Sequence, residues 1–336
     1  MKKISRKPLD GRIAVVAGAT RGAGRGIARA LGEAGAIVYC TGRSVSGNPS
    51  PYKRPETIDE TAAMIQSAGG TAIAVRVDHA IESEVESLFA RIDREHGRVD
   101  ILADSVGGEN PLLGGYGWFW KADVKNGAAA FEQSLLSHII TAKHAAKLMT
   151  RDRHGLIVEV TESDVIGSGG NPVAQVVKLA LKGIAMNMAA ELRPHGVAAV
   201  SITPGFLRSE RMLEHFGVTE ATWRKAVKKD SNFAVSETPL YVGRAVAALA
   251  ADPSVIGKTG QLFSSWELAR EYRLTDVDGR RPDWGRHRID WSEFPEDFLE
   301  YFRAGGDIQA RWLATLSKRT KAFAAKVPRR RKPKEK

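Results

Sequence analysis

Short runs of almost uninterrupted apolar residues recur along the chain at Arg12–Ala17, Ala36–Thr41, Thr71–Val77, Val99–Ala103, Leu156–Val160 and Val197–Thr203. Apolar and polar positions do not alternate in them, so each predicts a strand buried on both faces of a sheet. The stretches between them carry helical spacing: Gly22–Ala34, Glu56–Ala68 closed by Gly69-Gly70, Glu82–Glu95, Ala128–Met149 and Pro172–Leu192. In Glu82–Glu95 the residues Val85, Leu88, Phe89 and Ile92 share one face. Strand and helix in alternation imply parallel connections and a doubly wound α/β sheet. Ser44–Pro55 and Asp104–Asn126 read as loops. After residue 205 the pattern changes. Phe206–Phe233 reads as a mobile helical insertion, Thr238-Pro239 opens another helix, and Gln261–Phe263 is a short seventh strand. These features predict one domain over residues 1–275, an irregular and helical extension over 276–326, and a basic disordered tail over 327–336.

Composition changes this picture only once the charge is located. The 336 residues carry a formal net charge of +11. Lys318–Lys336 holds ten Lys/Arg and one Glu, which is +9, so the rest is near +2. A near-neutral body argues against a basic nucleic-acid-binding face, and nucleic acid is not an expected partner. Cys40 is the only cysteine, which excludes an intrachain disulfide framework. No run of about 18 apolar residues suggests a membrane span, and MKKISRKPL lacks the apolar stretch of a signal peptide. The expectation is a cytoplasmic protein away from membranes. No ligand spacing predicts a metal site.

Candidate chemistry begins at Ala17-Gly18-Ala19-Thr20-Arg21-Gly22-Ala23-Gly24, which follows the first strand and opens a helix. Glycine lets the backbone turn sharply and lets a pyrophosphate approach the amides. The helix N-terminus then faces the phosphates with partial positive charge. The spacing Gly-x-x-x-Gly-x-Gly resembles the short-chain dehydrogenase/reductase (SDR) family, as does the stretch from residue 10 to about 265. The resemblance implies a Rossmann-type fold and a cofactor site built from Gly18, Thr20, Arg21, Gly22 and Gly24. It also implies Asp78 against the adenine, Gly107 in the strand-four motif, and Pro204-Gly205 near the nicotinamide. Without the resemblance, Asp78 reads as a helix N-cap and Pro204-Gly205 as a strand-ending turn.

NAD-selective sites place an acid at the end of strand two, whereas NADP sites replace it and add arginine. Here strand two ends Thr41-Gly42-Arg43-Ser44. The resemblance puts Gly42 in the acid's place, with Arg43 and Arg21 flanking a 2′-phosphate and no acid nearby. NADP(H) is therefore expected in preference to NAD(H).

The family's proton donor is a Tyr four residues before a Lys on the helix after strand five. Glu191-Leu192-Arg193-Pro194-His195-Gly196-Val197 resembles the helix end in DHRS-like members and sets the register. Lys178 then takes the lysine position and Ala174 the tyrosine position. The family serine falls near Thr161 or Glu162, and Thr161 or Ser163 offers a hydroxyl. The family asparagine falls near Ser134, and Asn-Asn-Ala-Gly is replaced by Asp104-Ser105-Val106-Gly107. Tyr116 reads as an exposed loop tyrosine, with a substitute acid as the alternative. His138 and His144 read as packing or surface residues. The resemblance implies an NADP(H)-dependent oxidoreductase of a carbonyl or alcohol, impaired by the missing tyrosine, and a homodimer or tetramer through the two long helices. The competing reading is a non-catalytic or regulatory protein that holds NADP(H) without turnover.

Overall fold

In the computed structural model, which describes residues 7–49, 54–107, 124–162 and 172–288, the apolar runs form a parallel sheet. Its strands are β1 (Ile13–Ala17), β2 (Ile37–Gly42), β3 (Thr71–Arg76), β4 (Ile101–Asp104), β5 (Gly155–Val160), β6 (Val197–Thr203) and β7 (Leu262–Ser264). They lie in the order β3-β2-β1-β4-β5-β6-β7. The chain reverses direction across the sheet between β1 and β4, and the crevice above such a reversal is where doubly wound folds bind nucleotides.

The helices are α1 (Gly22–Glu33), α2 (Ile58–Ser67), α3 (Glu82–His96), α4 (Val124–Phe131), α5 (Ser137–Asp152), α6 (Pro172–Leu192), α7 (Glu210–Phe216), α8 (Pro239–Ala251), α9 (Ser265–Glu271) and α10 (Trp284–Arg288). They cover the sheet on both faces. Ile27, Leu31, Ile58, Val242 and Val246 belong to the core of one face, and Val85, Leu88, Phe89, Ala145 and Met149 to that of the other.

Three elements differ from the sequence reading. Helix α2 begins at Ile58 rather than Glu56, because the Thr57 side chain caps it by accepting from the Glu60 amide. This leaves Glu56 before the helix and buried. The single helix expected over Ala128–Met149 is interrupted by a π-helical turn, Glu132–Leu136, between α4 and α5. The insertion after β6 is only partly helical: α7 is capped by Ser209, and 3-10 turns follow at Trp223–Lys228 and Ser231–Val235.

Pro172–His195 is apolar and long enough to cross a membrane by length and composition alone. Ala174, Val177, Leu181, Ala185 and Ala189 of α6 are nevertheless buried in the fold, so one face of α6 packs into the body. Its exposed apolar residues Val176 and Met186 are matched by Leu136 at the end of the π turn and Ile139 at the start of α5. The tail 327–336 and most of the 276–326 extension lie outside the described residues.

Candidate functional site

The sequence-derived residues collect at the carboxyl ends of the strands. Gly18 turns the chain at φ +76, and a Cβ there would lie 2.7 Å from the Ser105 carbonyl oxygen. A Cβ on Gly24 would lie 2.1 Å from the Gly18 carbonyl oxygen. Both positions therefore require glycine, and the close approach brings the start of α1 against the end of β4. Helix α1 receives no side-chain cap from Arg21 and has no acid in its first turn. Its leading amides thus favour an external anion. Glu210 of α7 supplies one: it accepts from the Gly22 amide at 2.8 Å and lies 3.3 Å from Arg25. The cradle fits a dinucleotide pyrophosphate by its glycines and by its demonstrated acceptance of a carboxylate.

At the end of β2, a Cβ on Gly42 would lie 3.0 Å from Thr20 Oγ1 and 3.2 Å from Ile58, leaving little room for a side chain. Arg21 donates to Glu56 at 3.0 Å, and Arg43 lies 3.8 Å from Asp78. The expectation of two arginines without a nearby acid is thus corrected. Glu56 sits before α2 instead of on it, and Asp78 follows β3 directly below β2's end. Arg54, which sequence reasoning passed over, joins this corner by donating to Glu56 at 2.6 Å and to Glu214 at 2.7 Å. Burial opposes the charge of Glu56, but hydrogen bonds from Arg54 and Arg21 outweigh it and hold its carboxyl below the usual range. Asp78 does not cap α3, whose N-cap is Ile81. Its carboxylate instead accepts from the Ala80 amide at 3.1 Å within the turn.

The other end of the candidate site is differently furnished. Ala174 is buried one turn before Lys178 on α6. Lys178 Nζ lies 2.6 Å from Glu162 Oε2. Thr161 is buried and donates its hydroxyl proton to the Lys178 carbonyl at 3.1 Å. As placed, Thr161 holds the helix backbone and has no proton left for an oxygen in the pocket. Ser163, Asp164, Tyr116 and Trp118 to Trp120 lie outside the described residues. Ser134 is buried in the π turn, so tight against Gly107 that a Cβ on the glycine would lie 2.3 Å from its Oγ. Such turns concentrate at functional sites.

Beneath these groups lies a cluster that sequence reasoning missed. Asp104 and Glu159 are register partners on β4 and β5, which puts both carboxylates on one face of the sheet. His138 of α5 packs onto that face, with Nδ1 2.5 Å from Glu159 and 3.5 Å from Asp104. Its Nε2 donates to the Val106 carbonyl at 2.9 Å. All three side chains are fully buried. Burial opposes the imidazolium, but the Asp104 and Glu159 charges prevail and push His138 up to about 9. Burial pushes Asp104 up to about 6. The three groups present ligand atoms within 4.8 Å of one another. The 2.5 Å His138–Glu159 contact is a charge-assisted hydrogen bond, and we read the cluster as an ionic one. His138, read as a packing or surface residue rather than a catalytic one, is a packing residue that also carries charge inside this buried cluster. The available signal was Glu159 inside one apolar strand and Asp104 at the very end of another.

The Pro204-Gly205 turn after β6 is held from behind. Glu237 accepts from the Gly205 amide at 2.9 Å and from Ser265 Oγ at 2.6 Å. Burial pushes this carboxyl up to about 8.

Comparison with known proteins agrees with the geometry. Residues 18–263 match the family described as enoyl-(acyl carrier protein) reductase. The human protein named dehydrogenase/reductase SDR family member 1 is 36% identical over 277 residues, covering 81% of this chain and 85% of its own. A 3-oxoacyl-[acyl-carrier-protein] reductase of Synechocystis is 27% identical over 258 residues, covering 76% of this chain and 96% of its own. Among solved structures, an actinorhodin polyketide ketoreductase with NADPH superposes with a TM-score of 0.62 at 23% identity. That match covers 76% of this chain and 95% of the ketoreductase.

Proposed function

The chain belongs to the short-chain dehydrogenase/reductase family of oxidoreductases, and we propose that it is an NADP(H)-dependent member acting on a small carbonyl or alcohol with an altered proton-transfer site. The observation that carries the reading is the glycine cradle, whose α1 amides receive no cap from Arg21 and bind the Glu210 carboxylate beside a corner of Arg21, Arg43 and Arg54. Family members bind nicotinamide cofactors. Here the cradle and α1 would hold the pyrophosphate, the arginines the 2′-phosphate, and Asp78 the adenine. Lys178 would hold the ribose, with Pro204 and Gly205 beside the ring. Nicotinamide supplies or accepts hydride when bound. The chain's own contribution is positioning, with the Lys178 ammonium held by its ion pair to Glu162.

The solved ketoreductase with NADPH and a reductase of bacilysin biosynthesis described as NADPH dependent, itself at 21% identity with a TM-score of 0.61, are in keeping with the cofactor reading. We further propose a homo-oligomer formed through the exposed apolar residues Leu136, Ile139, Val176 and Met186 of α5, α6 and the π turn. Gly183 on α6 has nothing within 4 Å of where its Cβ would be, so another helix has room to approach.

A second reading, NADP(H) binding without turnover, is favoured by one specific feature: Ala174 offers no proton and Thr161 spends its own on α6. One experiment separates them. NADPH is titrated by fluorescence, then carbonyl compounds are added and absorbance is followed. Binding with consumption supports the oxidoreductase, binding without consumption the second reading, and no binding defeats both.

A further inference from the structure

The segment between β6 and α8 has a core of its own. Trp223, Ala226 and Phe233 are buried there with Phe206, Leu213 and Phe216 packed around them. This cluster is separate from the two that line the sheet. A backbone bridge between Leu207 and Glu237 ties the two ends of the segment together at the sheet. The segment thus packs as a separate lid, joined to the body at this bridge and to residues 276–287 by Arg280 over Trp223 and Phe206 against Trp284. Toward the nucleotide cradle it presents α7, whose Glu210 and Glu214 are one turn apart and share a face.

Both carboxylates rest on groups that fit phosphate. Glu210 accepts from the Gly22 amide at 2.8 Å and pairs with Arg25 at 3.3 Å. Glu214 accepts from Arg54 at 2.7 Å, and Arg54 and Arg21 share Glu56. Glu210 supplies the cap that α1 lacks from its own first turn. An amide N–H serves one acceptor well, and two anions within hydrogen-bond range of it repel each other. A carboxylate and a pyrophosphate are therefore alternatives at this position.

We propose that Glu210 is a latch. In the cofactor-free chain its carboxylate takes the phosphate-binding amides of α1 and holds the lid down on the cradle, and it must leave when a dinucleotide pyrophosphate enters. Glu214 on Arg54 is a weaker second catch, since Glu214 is 71% exposed and water screens it. The latch lowers cofactor affinity by the fraction of chains it keeps closed. It also makes lid opening a response to cofactor. This inference rests on the cofactor site proposed above.

The test uses the full chain and its Glu210→Gln and Glu214→Gln variants. Gln keeps the size and an acceptor oxygen but loses the charge that complements the helix N-terminus and Arg25. Without ligand, trypsin cleavage at Arg224, Lys225 and Lys228 in the lid is expected to be several-fold faster in Glu210→Gln than in the unaltered protein. By calorimetry, Glu210→Gln is expected to bind NADPH roughly tenfold more tightly, with a smaller gain for Glu214→Gln. NADPH itself is expected to speed lid cleavage of the unaltered protein. Unchanged cleavage of ligand-free Glu210→Gln overturns the latch, whatever the cofactor does. Faster cleavage with unchanged or weaker NADPH affinity overturns the mutual exclusion. If the unaltered protein binds neither NADPH nor NADH, the cofactor reading fails and the exclusion with it, while ligand-free cleavage still decides whether Glu210 holds the lid.

Discussion

Glu162 Oε2 lies 2.6 Å from Lys178 Nζ, so the ammonium one turn beyond Ala174 already has an anionic partner in its own chain. A phenol introduced at Ala174 meets that ammonium only in competition with Glu162. Ala174→Tyr is therefore expected to raise NADPH-dependent carbonyl reduction by no more than about tenfold, well short of the roughly 10² to 10⁴ of full acid catalysis. Combining it with Glu162→Ser removes the competing charge and restores a hydroxyl, and the combined change is expected to exceed either single one. Turnover over a panel of aldehydes and ketones is the measurement, with melting temperature as the control for crowding, because Ala174 is buried. If both variants fold and bind NADPH, and neither is faster on any substrate, then Ala174 does not occupy the proton-donor position.

The proposed preference for NADP(H) rests on the corner where Arg43 faces Asp78 at 3.8 Å. A charge-assisted bond to a 2′-phosphate contributes about 1.5–3 kcal/mol, roughly 10- to 100-fold in affinity. Arg43→Asp removes that bond and places like charge beside both Asp78 and the phosphate. The NADPH-to-NADH affinity ratio is expected to fall by at least that range, while NADH binding stays within a few-fold. Calorimetry with both dinucleotides checks it. Equal affinity of the unaltered protein for the two would dispose of the preference at once.

The parallel sheet and its helices were legible because continuous apolar runs and helical spacing are local signals, and every strand expected from them is present within a residue or two. The glycine cradle was legible for the same reason, being contiguous in sequence. What escaped was long-range. Glu56 reads as the first residue of a helix until Thr57 is seen to cap it, and only folding brings it to Arg21. Asp104, Glu159 and His138 come from three elements, and only strand register makes the two acids neighbours. Glu210 meets Gly22 across 188 residues. No periodicity announces such pairs.

His138 answers two buried carboxylates, so its removal leaves charge unpaired. His138→Leu is expected to destabilise the fold by about 3–5 kcal/mol, as breaking a buried ion pair does. The pH dependence has a definite sign. The folded-state value of about 9 lies above the ordinary value of 6.5. The stabilisation is thus complete below about 6.5 and lost as pH rises through 9. Urea denaturation between pH 6.5 and 9.5 is expected to show this decline in the unaltered protein and a flatter profile in the variant. A variant as stable as the parent across that range would show that the cluster contributes nothing to stability.

Glu237 gives the opposite case, a carboxyl kept neutral. It is fully buried between the Gly205 amide, Ser265, Asp276 and Arg208, and burial raises its titration from 4.5 to about 8. Below 4.5 the folded and unfolded chains are both protonated there, and no penalty arises. Between 4.5 and 8 the unfolded chain ionises more readily than the folded one, so stability falls as pH rises through that window. Glu237→Gln retains an acceptor for the Gly205 amide and the Ser265 hydroxyl but cannot ionise. It is expected to match the parent near pH 4.5 and to melt at least about 3 °C higher at pH 8, a gain of roughly 1 kcal/mol for a domain of this size. The measurement is thermal unfolding at both pH values, with NADPH affinity followed in parallel because Glu237 supports the Pro204-Gly205 turn. Parallel declines of parent and variant between pH 4.5 and 8 would mean that Glu237 is ionised in the fold, with Arg208 rather than a proton neutralising it.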